Sequence, residues 1–252
     1  VTGNGAYLTF PKWGKYHRRG KIVVSTAQLF TPEELAAMTP EEVDERMRRA
    51  LAHDDEAAMA GVRYRVKDTT AGLAGILRWC PVCGAGGTLV TRLGLLLCTA
   101  STLDATPDAH YRLPGAPFDT VNAWFDRQQT MIDLGTPLTA EVTVEALNRR
   151  GRLERHAGHG VVTLDREAFT FSGEVFGERA DFSLSTEELG GIPVTVAKHI
   201  DVYHNNRLLR LYPVREPRDA ILFTCYLDKL HGVTPPMLGD GKETSHVEHT
   251  GD

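Results

Sequence analysis

The stretch that decides the fold is Leu138-Thr139-Ala140-Glu141-Val142-Thr143-Val144-Glu145-Ala146, in which apolar and polar residues alternate. Successive side chains of a β-strand point to opposite faces, so this pattern predicts a strand with one buried and one solvated face. Further short strands are predicted downstream, at Val161–Leu164, Phe169–Phe171, Val194–Ala197, Ile200–Tyr203 and Leu208–Tyr212. Short strands at this spacing predict an antiparallel sheet, folded as a sandwich, a roll or a barrel.

The sheet is followed by a predicted closing helix over Asp219–His231. Leu222, Tyr226 and Leu230 recur there at four-residue spacing, which places them on one face of a helix. Residues 135–231 are therefore expected to form an antiparallel β domain with a terminal helix. We expect residues 232–252, which carry Pro235-Pro236 and mixed charge, to be a disordered tail.

Upstream of the sheet, two helix starts follow one another. Thr31-Pro32-Glu33-Glu34 and Thr39-Pro40-Glu41-Glu42 each place a capping Thr before a Pro at the first helical position and a Glu at the third. The second start opens a helix whose apolar residues recur at four-residue spacing, at Val43, Met47 and Leu51. A short strand is expected before both, over Lys21–Ser25.

The middle of the chain carries a cysteine pattern typical of a zinc ribbon. Cys80-Pro81-Val82-Cys83-Gly84 forms a knuckle in which two thiolates can face one ion, and Cys98 follows at the spacing of a second knuckle on a hairpin. A ribbon would place its fourth thiolate at position 101, where this chain has Ser101. We therefore assign Cys80, Cys83 and Cys98 as ligands of a structural zinc ion.

The fourth ligand is open at this point. His110, Asp104 or a water molecule could complete the set, because a serine hydroxyl does not ionise near neutral pH as a thiol does. Two other interpretations are a site that has lost its metal and a redox role for Cys80 and Cys83. The remaining cysteine, Cys225, lies in an apolar context and is expected in the core.

Composition narrows the function classes. The 252 residues are 42% hydrophobic and 24% charged, which is typical of a folded globular chain. The net charge of -5 argues against a nucleic-acid partner, and no apolar run is long enough for a membrane span. Because the first residue is Val1 rather than Met, we expect a fragment that begins inside a longer protein.

One local basic cluster stands out on this acidic chain. Lys12, Arg18, Arg19 and Lys21 lie close together in the sequence and are candidates for contact with a phosphate group or an anionic membrane surface. The alternative is a solvated loop before the strand at Lys21–Ser25.

The segment Gly3–Asp55 resembles the carboxy-terminal end of the bacterial lysophospholipid (1-acyl-glycerol-3-phosphate) acyltransferases. The resemblance is carried by Phe10–Lys15, Arg18–Val24, the helix Thr39–Leu51 and His53-Asp54-Asp55. A subset of these enzymes also continues into a cysteine ribbon and a β-rich tail domain, so the likeness extends over most of the chain. The tail is similar in outline to a pleckstrin-homology or GRAM-type roll.

The resemblance implies an α+β multidomain fragment. Residues 1–60 would be the end of an α/β acyltransferase domain, 61–134 a zinc-ribbon-like segment with linker, and 135–231 the roll. In such enzymes a His-x-x-x-x-Asp motif is catalytic, but here Ile22 follows His17 and Ala58 follows His53 at that spacing, so no catalytic residue is assigned.

The function implied is transfer of a fatty acyl group from an acyl donor to a lysophospholipid, in a longer protein that is cytoplasmic or peripheral on the cytoplasmic side of a membrane. The fragment alone is expected to be inactive. The alternative function is a non-catalytic zinc-ribbon and β-roll module that binds a partner or a membrane surface.

Overall fold

The amino-terminal half consists of short elements. The computed structural model describes residues 2–51, 55–148, 150–205 and 207–233 of the chain. Its first ten elements are β1 (Thr2–Asn4), α1 (Ala6–Thr9), β2 (Val23–Ser25), α2 (Pro32–Ala37), α3 (Pro40–Leu51), α4 (Asp55–Ala58), β3 (Leu89–Arg92), β4 (Leu95–Cys98), β5 (Asp104–Ala105) and α5 (Val121–Thr130). Strands β1 and β2 pair, and β3, β4 and β5 form a second small antiparallel sheet.

Both predicted helix starts are confirmed. Thr31 Oγ1 accepts a hydrogen bond from the N–H of Glu34, whose carboxylate accepts one from the N–H of Thr31. Thr39 and Glu42 form the same reciprocal pair. The helix α3 nevertheless contains no buried residue, and Met47 is 43% exposed. Its amphipathic pattern therefore predicted the helix correctly, although no residue of its apolar face is buried.

The carboxy-terminal half contains a seven-stranded antiparallel sheet, as the alternation predicted. Its strands are β6 (Leu138–Leu147), β7 (Leu153–Leu164), β8 (Ala168–Val175), β9 (Glu178–Ser185), β10 (Val194–Thr195), β11 (His199–His204) and β12 (Arg207–Pro213). Their order is β10-β11-β12-β6-β7-β8-β9, so two meanders join where β12 pairs with β6. Asn205 follows the end of β11, and Asn206 lies outside the described residues.

Burial along β6 follows the apolar–polar alternation on the face that packs against the core. Val142, Val144 and Ala146 are all buried, as alternation requires. Glu145 is the exception, because this residue of the opposite face is also buried, and its carboxylate accepts a hydrogen bond from the Tyr212 hydroxyl. The register against β7 shifts between Val144 and Ala146, which marks a β-bulge at this position.

Helix α6 (Ala220–Leu230) closes the sheet, confirming the predicted terminal helix. Its buried residues include Phe223, Cys225 and Tyr226, which pack with the inner face of the sheet in one apolar cluster. Cys225 is therefore a core residue, as predicted. The Tyr226 hydroxyl donates a hydrogen bond to the carbonyl of Leu134, which fixes the helix against the start of the sheet.

A second apolar cluster fills the amino-terminal half. It joins Leu8 and Trp13 to Leu77, Leu89 and residues further along the chain, so the first sixty residues and the cysteine region share one core. Phe125 and Val196 contact both clusters and connect the two halves.

Two features of the sequence analysis fall partly on residues that the structure does not describe. These are His53 and Asp54 of the segment His53-Asp54-Asp55, and the tail beyond residue 233. Within the described part of the chain, no helix has the length and apolar character needed to cross a bilayer.

Candidate metal centre

The first half of the cysteine site is the tight turn that carries Cys80 and Cys83. Gly84 has a φ of +70°, and its N–H donates to the carbonyl of Cys80 at 2.9 Å, which closes the turn. The N–H of Val82 is directed at Cys80 Sγ at 3.4 Å. The local sequence therefore builds the knuckle that the Cys-x-x-Cys spacing predicted.

The second half lies at the end of β4. The N–H of Ala100 is directed at Cys98 Sγ at 3.3 Å, which repeats the N–H to sulfur geometry of the first knuckle. Leu89 of β3 pairs with Cys98, so the hairpin carries this cysteine back to the first turn.

The three sulfurs lie within 4.8 Å of one another. Cys83 Sγ and Cys98 Sγ are 3.7 Å apart. Sulfurs bound at about 2.3 Å to one tetrahedral zinc ion are separated by about 3.8 Å. The spacing of this pair therefore fits the edge of a zinc–thiolate tetrahedron, and the donor set suits zinc because thiolates are among its preferred ligands.

Ser101, which stands where a ribbon has its fourth cysteine, lies beside the cluster. Its Oγ is 3.3 Å from Cys80 Sγ, and it also accepts a hydrogen bond from the N–H of Leu103. Neither Asp104 nor His110 belongs to the cluster among the described residues. The His110 ring instead places Nδ1 at 3.2 Å from the carbonyl of Val62, so of the three fourth ligands considered a water molecule is left.

The surroundings favour a thiolate on Cys98. Burial raises the pKa of this thiol, but hydrogen bonds with the Ser101 and Thr88 hydroxyls and the Ala100 N–H outweigh it and lower the pKa to about 6. The pKa of Cys83 is raised overall: the Ala85 backbone lowers it, whereas desolvation and the sulfurs of Cys80 and Cys98 raise it. Cys98 therefore ionises more readily than an ordinary thiol, whereas Cys83 ionises less readily.

The cluster is closed on most sides. Cys80 is fully buried and Cys98 is 8% exposed, whereas Cys83 is exposed to solvent. Residues next to the first knuckle contact other elements. Trp124 Nε1 in α5 donates a hydrogen bond to the carbonyl of Trp79, the residue before Cys80. Arg78, almost fully buried, forms an ion pair with Asp219 at 2.6 Å, just before α6. A metal here would therefore connect the small sheet to the terminal helix.

The four residues of the basic cluster differ in their exposure to solvent. Lys12, Arg19 and Lys21 are exposed, but Arg18 is only 3% exposed. The Arg18 guanidinium lies 4.5 Å from the ring centroid of Trp13 and 3.5 Å from that of Tyr111, and it donates to the carbonyl of Leu8. Two aromatic rings therefore hold the charge of Arg18 inside the core, and contact of this basic cluster with a membrane or a phosphate group stays a prediction.

Sequence reasoning missed the links between the cysteine region and the carboxy-terminal half. Besides Arg78 and Asp219, the Arg218 guanidinium donates to the carbonyl of Leu89 in β3. The residues of each pair are separated by more than a hundred positions, so no local pattern marks them. The sequence did predict the cysteine site, because the residues of its first knuckle lie within a few positions of one another.

Comparisons with protein-family models, with curated proteins and with solved structures found no match for this chain.

Proposed function

We propose that this chain is a non-catalytic module in which a structural zinc ion holds the cysteine ribbon, and through it the junction with the β domain. The observation that carries the proposal is the approach of the Cys80, Cys83 and Cys98 sulfurs to within 4.8 Å of one another, with those of Cys83 and Cys98 3.7 Å apart. Cys80, Cys83 and Cys98 would bind the ion, with Ser101 or water as the fourth donor.

The metal would act on folding rather than on a substrate. A closed zinc site supplies stability, because its ligands are brought together only in the folded chain. The strands of the three-stranded sheet β3-β4-β5 are short. Small sheets of this kind need a bound metal or extensive packing to be stable. The buried Arg78–Asp219 pair would transmit that stability to helix α6.

We propose further that the β domain is a roll of pleckstrin-homology or GRAM-type outline. The four-strand meander β6–β9, the three-strand meander β10–β12 and their junction through β12 and β6 support this, together with the closing helix. Fold outline alone assigns no ligand.

We also propose that the module accompanies a lipid acyltransferase that uses a lysophospholipid and an acyl donor, at the cytoplasmic face of a membrane. The support is the resemblance of Gly3–Asp55 to that family, together with the exposure of Lys12, Arg19 and Lys21, which suits an anionic surface. The chain would support that reaction without performing it.

The zinc proposal is tested by native mass spectrometry of the protein expressed with zinc. One ion per chain is expected, and Cys83→Ser should lose it, whereas Cys225→Ala should retain it because Cys225 lies in the other core. A wild-type chain without zinc would contradict the structural-zinc assignment. The acyltransferase proposal is tested separately: the chain alone should transfer no acyl group to lysophosphatidic acid, and turnover abolished by a substitution within it would contradict the non-catalytic assignment.

A further inference from the structure

Helix α3 carries an apolar stripe that is exposed to solvent. Val43, Met47 and Leu51 recur at every fourth position, so they lie along one side of the helix. No residue of α3 is buried, and Met47 and Leu51 are 43% and 56% exposed. Leu35, in the preceding helix α2, is 50% exposed. Because a twelve-residue helix is marginal in water without packing on its apolar side, this stripe is suited to contact with a partner.

Local interactions hold the helix in shape before any partner binds. The reciprocal cap described above closes its amino-terminal end. Two ion pairs at four-residue spacing follow, between Arg48 and Asp44 at 2.5 Å and between Arg49 and Glu45 at 3.3 Å. A backbone that is already ordered loses less conformational entropy when it associates, so α3 is prepared for binding as a helix.

The charges beside the stripe favour one particular partner. Asp44 follows Val43 and Arg48 follows Met47, so both charges border the same side of the stripe. In a two-fold symmetric pair of antiparallel helices, the same border of both copies meets. Asp44 of one copy would then lie opposite Arg48 of the other, at both ends of the contact. The stripe and its border are therefore complementary to a second copy of themselves.

The ends of α3 support the antiparallel direction. Its first turn carries Glu41 and Glu42, and its last turn carries Arg48 and Arg49. Two copies that run in opposite directions bring an acidic end to a basic end, and their helix dipoles oppose one another. Two copies that run in the same direction would bring ends of the same charge together.

The charge on the other border of the stripe is already compensated. Arg46 precedes Met47, and its guanidinium lies 3.4 Å from the Glu34 carboxylate and 5.0 Å from the ring centroid of Phe30. Two copies of Arg46 would approach one another near the two-fold axis. Pairing of each with Glu34 of its own chain reduces the repulsion between them.

We propose that the chain forms a symmetric dimer in which α3 packs antiparallel against α3 of a second copy. Met47 of each copy lies next to the two-fold axis, and the Asp44 and Arg48 side chains of the two copies pair along the border. The helix is about 18 Å long, since each of its twelve residues adds about 1.5 Å. Such a contact is at the small end of specific interfaces, below about 1,200 Å², so the dimer is weak and dissociates on dilution.

The test is sedimentation equilibrium of the full chain between about 10 μM and 1 mM, the range expected for a small interface. A monomer–dimer equilibrium is expected for wild type. Met47→Glu should weaken association about tenfold or more, because it places two carboxylates at the axis. Asp44→Arg and Arg48→Asp should each do the same alone, since like charges then meet along the border. An equimolar mixture of these two variants should recover association as a heterodimer.

Glu45→Arg is the matched control for Asp44→Arg. It breaks the equivalent ion pair with Arg49 in the same helix, and it makes the same change of charge. Glu45 lies two positions after Val43, which places it on the side of the helix away from the stripe. This variant should therefore associate as wild type does, and circular dichroism of every variant checks that the helix content is retained.

Three results would overturn the dimer. The first is a wild type that stays monomeric over the whole concentration range, which would assign the stripe to a partner other than this chain. The second is equal weakening by Glu45→Arg and Asp44→Arg, which would make the effect one of helix stability. The third is a mixture of Asp44→Arg and Arg48→Asp that associates no more tightly than either variant alone.

Discussion

The imidazole of His204, at the end of β11, stacks on the ring of Phe182 in β9 at 4.2 Å. These strands are five places apart in the order of the sheet, so the sheet must curl until its two ends meet. Phe182 also stacks on Phe171 of the neighbouring strand at 5.3 Å, which continues the contact into the core. The curl brings the β8–β9 and β11–β12 hairpins to one cavity, a result that depends on the whole sheet.

Close approach of β7 and β8 depends on a glycine. A Cβ added at Gly158 would lie 1.9 Å from the carbonyl oxygen of Glu174, which is backbone and cannot rotate away. We expect Gly158→Ala to destabilise the protein by about 2–4 kcal/mol through strain in this pairing. The measurement is the urea midpoint. Gly190→Ala is the control, because a Cβ there meets no atom within 4 Å; equal midpoints for both variants would contradict the strain.

Replacing Ser101 by cysteine should strengthen metal binding. Ser101→Cys supplies a thiolate near Cys80 Sγ, now 3.3 Å from the serine hydroxyl, and completes a four-thiolate set. Zinc affinity, measured by competition with a chromophoric chelator, is expected to rise. Thr102→Cys is a control that adds a thiol next to the site at an exposed position outside the cluster. If wild type and Ser101→Cys both bind no zinc, the three cysteines lose their assigned role.

Zinc removal should loosen one half of the molecule first. The cluster around Leu77, Leu89 and Cys98 depends on the ribbon, whereas the large sheet has its own apolar core. Hydrogen exchange after chelation is therefore expected to accelerate in β3 and β4 before it does in β6 to β9. Uniform acceleration across both halves would show that the ribbon and the sheet unfold as one unit. Cys83→Ser, measured without chelator, should reproduce the pattern.

The junction near Arg78 should be sensitive to acid. Hydrogen bonding with the Arg218 guanidinium is the main reason that the pKa of Glu216 is lowered from its ordinary 4.5, and Arg78 adds a further attraction. A carboxyl whose pKa is lower in the folded state contributes stability above its unfolded pKa and loses it as the pH falls through the folded value. Wild type should thus lose more stability than Glu216→Gln as the pH falls below about 4.5. Equal losses in denaturant titrations would contradict this.

The buried charge of Arg78 should be costly to leave unpaired. Its side chain is 4% exposed and pairs with Asp219 at 2.6 Å. Asp219→Asn is expected to destabilise the protein by about 3 kcal/mol, since it removes the nearer partner of a buried charge and leaves only Glu216, which lies 3.7 Å from the Arg78 guanidinium. Arg78→Met with Asp219→Asn should recover part of the loss in thermal unfolding. If the double variant is as unstable as the sum of its single changes, the two side chains are not coupled.

The two neighbouring arginines of the basic cluster should behave differently. Arg19→Glu is expected to weaken sedimentation with anionic vesicles, because Arg19 is exposed and each basic group near such a surface contributes about 1 kcal/mol. Arg18→Gln should instead lower the melting temperature, since it removes a buried cation from between Trp13 and Tyr111. If Arg19→Glu binds vesicles as the wild type does, the result would contradict a membrane contact and support the alternative interpretation of a solvated loop.

The amino-acid sequence by itself determined the local features. Thr31 and Thr39 cap their helices through bonds to residues three positions away, and the knuckle at Cys80 closes within five residues. Alternation from Leu138 to Ala146 predicted a strand with one buried face for the same reason, since a period of two is a property of the strand alone.

Only the tertiary structure decided the rest. Arg18 has the residue type of a surface group, yet two aromatic rings, one of them at Tyr111, enclose its charge. Glu145 occupies a solvent position in the alternation and is buried by Tyr212, which is 67 residues away. These partners depend on the curl of the sheet and on the packing of the two cores. The spacing of residues along the chain does not predict such contacts, because they form only when distant segments are packed together.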